Sequence, residues 1–179
     1  MRREHLFHVL RAASRIVNQQ DVVVIGSQSI LASFDEDELP DEAIASIEVD
    51  VTFLDDPDQR KADLVDGVLG EDSMFHATFG YYAQGVGLDV ATLPSGWRDR
   101  LVVVEGASIE PARGLCLDPH DLAVAKLVAG RSKDLDFVGA LLREGLMSIA
   151  VVHERIDELD VPMGVKRRTH TLADALMPR

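Results

Sequence analysis

The spacing of apolar residues changes repeatedly along the chain, and each change predicts an element. His5, Leu6, Val9, Leu10, Ala13, Ile16 and Val17 recur every three or four positions, which predicts an amphipathic helix over 4–18. Asp21 then leads into Val22-Val23-Val24-Ile25-Gly26, a short β-branched run closed by glycine that reads as a buried strand. Ser27 to Ser33 reads as the first turns of a helix with Ser27 as its cap. Phe34 to Ser46 reads as an acidic loop around Pro40, too polar for the core. Ile47 to Phe53 alternates strictly, with Glu48, Asp50 and Thr52 on one face, and predicts a second strand.

Asp55-Asp56-Pro57-Asp58 is a turn and helix start, and Ala62, Leu64, Val65, Val68 and Leu69 carry that helix to Gly70. Phe75 to Gly87 reads as strand and loop, Leu88 to Ala91 as a short strand closed by Pro94-Ser95-Gly96-Trp97, and Leu101 to Glu105 as another strand. After Gly114 to Leu117, Asp118-Pro119 marks a helix start (a capping aspartate, then proline at the first helical position). That helix runs to Gly130, and helical periodicity returns over 134–145, 148–159 and 165–176. The pattern predicts an α/β (α+β) fold, a mixed sheet flanked by helices over 1–117, with a C-terminal helical segment over 118–179 packed on it.

Composition narrows the class. Among 179 residues, 46% are hydrophobic and 27% charged, which supplies a real core and excludes global disorder. The longest apolar runs, such as Val22 to Ile25 and Leu101 to Val104, fall far short of the roughly 20 residues that span a bilayer, so no membrane partner is expected. The opening residues lack the apolar core of a signal peptide. A single cysteine, Cys116, excludes an internal disulfide and fits a reducing, cytoplasmic compartment. The net charge of −13 argues against a generic duplex-DNA binder. Carboxylates crowd between Asp35 and Asp72, whereas Arg2, Arg3, Arg11 and Arg15 mark one end and Lys166, Arg167, Arg168 and Arg179 the other.

The informative constellation is Gly26-Ser27 at a helix start, followed by Glu48-x-Asp50 on a strand. That spacing turns both carboxylates to one side, about 7 Å apart along the strand. Two such carboxylates repel unless a cation joins them, and Mg²⁺ takes hard oxygen ligands together with substrate phosphates. A Gly-Ser turn offers backbone N–H groups and a hydroxyl to phosphate. Asp89, in Gly87-Leu88-Asp89-Val90, is the candidate third acid on a neighbouring strand, as metal ligand or base. An exposed Glu-x-Asp strand face that is merely solvated has the same spacing.

Gly26-Ser27 with Glu48-x-Asp50 resembles the Gly-Ser … Asp-x-Asp signature of the polymerase-β-like nucleotidyltransferase superfamily. The run from Leu117 to Phe137, with Lys126, Arg131, Lys133 and Asp134, is similar to the segment after the catalytic sheet in minimal bacterial members such as the AbiEii/MenT-type toxins. The resemblance covers roughly residues 20–145. It implies Mg²⁺ on Glu48 and Asp50, with Asp89 as a further ligand or base. It also implies a nucleoside triphosphate held by Gly26, Ser27, Lys126, Arg131 and Lys133. In the toxin branch it implies an RNA acceptor, typically transfer RNA, and an antitoxin protein as partner. This sequence departs from the pattern in carrying Glu48 where aspartate is usual. The gap from Ser27 to Glu48 is also stretched by the acidic stretch 35–42. That stretch would repel a polyanion at the mouth of a site unless it folds away.

Two other functions therefore stay open: a catalytically inactive nucleotide- or protein-binding module, and a small-molecule transferase whose cationic acceptor, of the aminoglycoside type, suits an acidic cleft. The remaining features have plainer readings. Lys126 can snorkel from an apolar face, and Arg131, Lys133, Asp134 and Asp136 can form a helix-end ion-pair cluster. The six histidines show no zinc spacing, Cys116 reads as a buried inert thiol, and neither a P-loop nor a Rossmann glycine fingerprint is present.

Overall fold

The valine run after the first helix becomes the centre of the sheet. In the computed structural model, which describes residues 1–177, strand β1 (Asp21–Val24) is flanked by β2 (Glu48–Thr52) on one side and β5 (Arg113–Cys116) on the other. Val22, Val23 and Val24 are fully buried, as a strand covered on both faces requires. Each such side chain contributes roughly 1.5–3 kcal/mol of burial. The sheet has the order β3-β2-β1-β5-β4, with β3 at Tyr82–Gly85 and β4 at Val102–Val104. β1 runs antiparallel to β2 and parallel to β5, β2 is parallel to β3, and β4 is antiparallel to β5. The sheet is mixed, as the pattern predicted. Arg179, one of the terminal cations, lies outside the described residues.

Helix α1 (Arg3–Val17) packs beside α3 (Arg60–Leu69) and against the sheet, burying Leu6, Val9, Leu10 and Ala13. After β5 the chain is helical: α5 (Pro119–Ala129), α6 (Ser132–Arg143), α7 (Ile149–Asp157) and α8 (Met163–Ala175), with α6, α7 and α8 all packing on α5. The Asp118 carboxylate caps α5 by accepting from the N–H groups of His120 and Asp121, and proline follows at the first turn. Gly130 ends the helix at φ +65°, the left-handed position that glycine occupies without a Cβ clash. Such a cap contributes about 1 kcal/mol.

Four expectations change. Ser27–Ala32 forms a tight 3₁₀ turn whose cap position is Gly26, so the Ser27 hydroxyl is free of capping. Phe34 to Ser46 is not wholly excluded from the core: it holds a 3₁₀ turn and the short α2 (Asp41–Ile44), and buries Leu39 and Ala43. The Phe75 region is helical, as α4 (Met74–Phe79), because Phe75, Phe79, His8 and Tyr81 form one aromatic cluster that a strand would scatter. Leu88 to Ala91 is not a strand. Leu88–Val90 is a 3₁₀ turn, and both Asp89 and Val90 stand exposed.

Candidate active site

β2 leaves the sheet centre with alternating burial: Val49 and Val51 are fully covered, while Glu48 and Asp50 are half-buried on the other face. Thr52, expected on that polar face, is covered. Glu48 and Asp50 open into a cleft of about 620 Å³ that Gly26, Ser27, Gln84, Lys126, Arg131, Lys133 and Phe137 also line. Segments far apart in sequence meet there: the turn after β1, the polar face of β2, Gln84 of β3, and the facing sides of α5 and α6.

Gly26 is where the backbone comes closest to the acids. A Cβ at that position would overlap the Asp50 carboxylate itself, so only glycine lets Asp50 lie across the start of the turn. The backbone joins the same two segments, since the N–H of Ile25 donates to the Asp50 carbonyl at 3.1 Å. Beside Asp50, Glu48 accepts a hydrogen bond from the Tyr82 hydroxyl at 3.2 Å. Tyr82 pairs with Glu48 and Gln84 with Asp50 in the parallel β2–β3 register. Burial is the main cause that pushes the Asp50 carboxyl up to about 6, with the Glu48 charge and hydrogen bond adding to it. Lys126 and Lys133 pull it back only in part. Among the described residues no cation stands within ion-pair distance of Asp50.

Across the cleft, Lys126 is nearly covered, and its Nζ donates to the Ser27 hydroxyl at 2.8 Å and to Asp134 Oδ1 at 3.3 Å. The same ammonium lies 4.5 Å from the centre of the Phe137 ring. Burial lowers the Lys126 ammonium, against the pull of Asp134. Asp134 is fully buried and also takes Arg131 at 2.6 Å. Burial pushes its carboxyl up, but the hydrogen bond from Arg131 and the charge of Lys126 outweigh it and hold the group below the usual range. Arg131 stays mostly exposed at the cleft lip.

Glu48, Asp50, Gly26, Ser27, Lys126, Arg131 and Lys133 therefore share one cleft. Asp89 does not join them. It is exposed on its 3₁₀ turn, its carboxylate lies over Gly87 near Gln59, and it does not line the cleft. Across from Asp50 on the neighbouring strand the chain carries an amide, Gln84. Among the described residues no group of three or more His, Cys, Asp or Glu side chains is placed to enclose a metal. Sequence reading missed Tyr82, Gln84 and Phe137 as site residues. It placed Asp134 in the resembling Leu117–Phe137 run and in a helix-end ion-pair cluster, without seeing that it would hold Lys126 at the cleft. Tyr82-x-Gln84 repeats the spacing of Glu48-x-Asp50, a signal that an aromatic-rich stretch concealed.

The acidic stretch divides. Arg3 pairs with Asp35, donates to the Leu31 carbonyl at 2.8 Å, and offers its backbone N–H to Glu36, which turns these acids toward α1. Glu42 remains at the cleft, 3.8 Å from Arg143. The plainer readings also hold a place in the structure. Cys116 is fully buried, and burial pushes its thiol up to about 12. His120 bridges Asp118 and the backbone N–H of Ser148.

A family described as a nucleotidyltransferase of unknown function (DUF6036) matches residues 4–176. The chain belongs to that family. No curated protein and no solved structure matches it. No helix among the described residues is long and apolar enough to cross a membrane.

Proposed function

We propose that this nucleotidyltransferase is Mg²⁺-dependent and moves a nucleoside monophosphate from a nucleoside triphosphate to a hydroxyl of RNA. The observation that carries the reading is Asp50: a carboxylate withdrawn from water, beside a second carboxylate, without a cation of its own. That is the electrostatic state of a divalent-ion site, and the hard oxygen donors of Glu48 and Asp50 fit Mg²⁺. When bound, the ion would neutralise triphosphate charge and stabilise the leaving pyrophosphate.

The chain's own residues do the rest. Gly26 leaves room for the Asp50 carboxylate against the backbone, Ser27 and Lys126 would donate to phosphate oxygens, and Tyr82 holds Glu48 beside Asp50. The acceptor oxygen attacks the α-phosphorus, the bond to the bridging oxygen breaks, and pyrophosphate departs with the electron pair. The hydroxyl proton passes to solvent at the open mouth. Positioning and charge stabilisation supply the acceleration in this chemistry. Support for RNA comes from the cations that line the cleft, Arg131 and Lys133, with Arg168 outside it reaching toward the adjacent Gly130. Glu42 at the same mouth favours a second reading, a cationic small-molecule acceptor. The toxin role and its antitoxin partner rest on the sequence resemblance.

The test is transfer of label from each α-³²P nucleoside triphosphate to total RNA or to an aminoglycoside, with Mg²⁺ or EDTA, for wild type and Asp50→Ala. Label on RNA that needs Mg²⁺ and Asp50 is expected. Label on the aminoglycoside alone selects the second acceptor, and no label in a chain that binds nucleotide selects the inactive module. Growth arrest on expression of wild type but not Asp50→Ala is the outcome expected of a toxin.

A further inference from the structure

Away from the cleft, α7 and α8 bring together two histidines and two aspartates that nucleotidyl transfer does not use. His153 Nδ1 stands 2.6 Å from His170 Nδ1. The ring planes lie within 20° of each other, yet the ring centres are 4.9 Å apart. Rings whose centres are so much farther apart than their nearest nitrogens meet edge to edge, nitrogen to nitrogen, and not face over face. Each far nitrogen has its own carboxylate: His153 Nε2 is 3.0 Å from Asp174 Oδ1, and His170 Nε2 is 3.0 Å from Asp157 Oδ1.

These contacts fix the tautomers. An ionised carboxylate can only accept, so each Nε2 carries the proton and donates it. A neutral imidazole protonated at Nε2 has its lone pair at Nδ1. Two lone pairs then face one another, which is repulsive unless something positive sits between them.

We propose that His153 Nδ1 and His170 Nδ1 are the ligands of a divalent transition-metal ion of the imidazole-preferring class, with Zn²⁺ the first candidate. Asp174 and Asp157 hold the two rings in the ligating tautomer, an arrangement in which metal-bound histidines are regularly found. Both histidine side chains are about 30% exposed (30% and 28%), so an ion reaches them from solvent. With no third side chain in the set, waters complete the shell. Two nitrogens on one tetrahedral zinc, each at about 2.0–2.1 Å, stand roughly 3.3 Å apart. The rings therefore part by less than an ångström and tilt until their lone pairs converge. The ion ties α7 to α8. The ligands lie 17 residues apart on separate helices, which is why no sequence spacing announced them.

The competing occupant is one extra proton shared between the two nitrogens, and the test separates the two. Zinc chloride is titrated calorimetrically into the full chain at neutral pH, as wild type, His153→Ala, His170→Gln, Asp174→Asn and Asp50→Asn, with the fold of each checked by circular dichroism. The expected result is a zinc site that both histidine variants lose and that Asp50→Asn keeps, apart from any uptake at Glu48 and Asp50, which Asp50→Asn would lower. Asp174→Asn is expected to weaken it roughly 10–100-fold. Thermal unfolding should shift upward with zinc in wild type and stay unmoved in His153→Ala. No uptake by wild type, or equal uptake by folded histidine variants, overturns the proposal and leaves the pair holding a proton only.

Discussion

Asp50 and Asp134 are carboxylates taken out of water in the same part of the fold, and the chain treats them in opposite ways. Asp134 receives two cations, Lys126 and Arg131, and its carboxyl is held below the ordinary range. Asp50 receives another carboxylate as its neighbour and is pushed up to about 6. Lys126 belongs to both walls, since its charge acts on Asp50 while its hydrogen bonds go to Asp134 and Ser27. The Asp134 side is a closed ion pair that fixes a cation in place. The Asp50 side is left short of positive charge, and that deficit is what a bound metal would fill. A buried acid that its own protein has not neutralised is the stronger candidate for a functional role.

The largest effect that would break this contrast is on catalysis. Asp50→Asn, which keeps shape and removes charge, is expected to lower nucleotidyl transfer by several orders of magnitude, read as label incorporated per minute. Gly26→Ala should come close behind, because its methyl group takes the space of the Asp50 carboxylate, while the protein remains folded by circular dichroism.

Stability provides the next contrast, with opposite signs for the two acids. Asp134→Asn leaves Lys126 and Arg131 beside a neutral amide and is expected to destabilise the fold by about 2–4 kcal/mol in urea. Asp50→Asn should stabilise it. A carboxyl raised in the folded state from 3.8 to about 6 confers stability that is complete below pH 3.8 and is lost as pH rises through 6. Above that window the metal-free wild type should trail Asp50→Asn by on the order of 2–3 kcal/mol, with the gap closing toward pH 4. Tyr82→Phe is the smallest change: loss of one hydrogen bond to Glu48 should cost about 1 kcal/mol and a few-fold in rate.

Much of this was legible from local pattern. The three buried valines, the alternation through Glu48 and Asp50, and the Asp118-Pro119 start are written in neighbouring residues and survive as β1, β2 and the start of α5. Elements decided by distant packing were not. Met74–Phe79 is helical because its aromatics meet His8 and Tyr81, and Leu88–Val90 curls because no strand lies beside it to pair with. The site divides in the same way. Glu48, Asp50, Gly26 and Ser27 share a motif, whereas Tyr82 reaches Glu48 through strand register, and Asp134 reaches Lys126 through the turn between α5 and α6. Asp89 had a plausible place in sequence, but its turn directs it elsewhere, and Gln84 occupies the position opposite Asp50.

The most direct measurement of the central claim is thermal unfolding at pH 8 of wild type and Asp50→Asn, each with and without Mg²⁺ and a non-hydrolysable nucleoside triphosphate. If Asp50 is the carboxylate left for an external cation, wild type starts below Asp50→Asn and rises by several degrees with Mg²⁺ and nucleotide together, while the variant barely moves. A wild type that starts level with the variant, or a variant that gains as much from Mg²⁺ and nucleotide, would contradict the account.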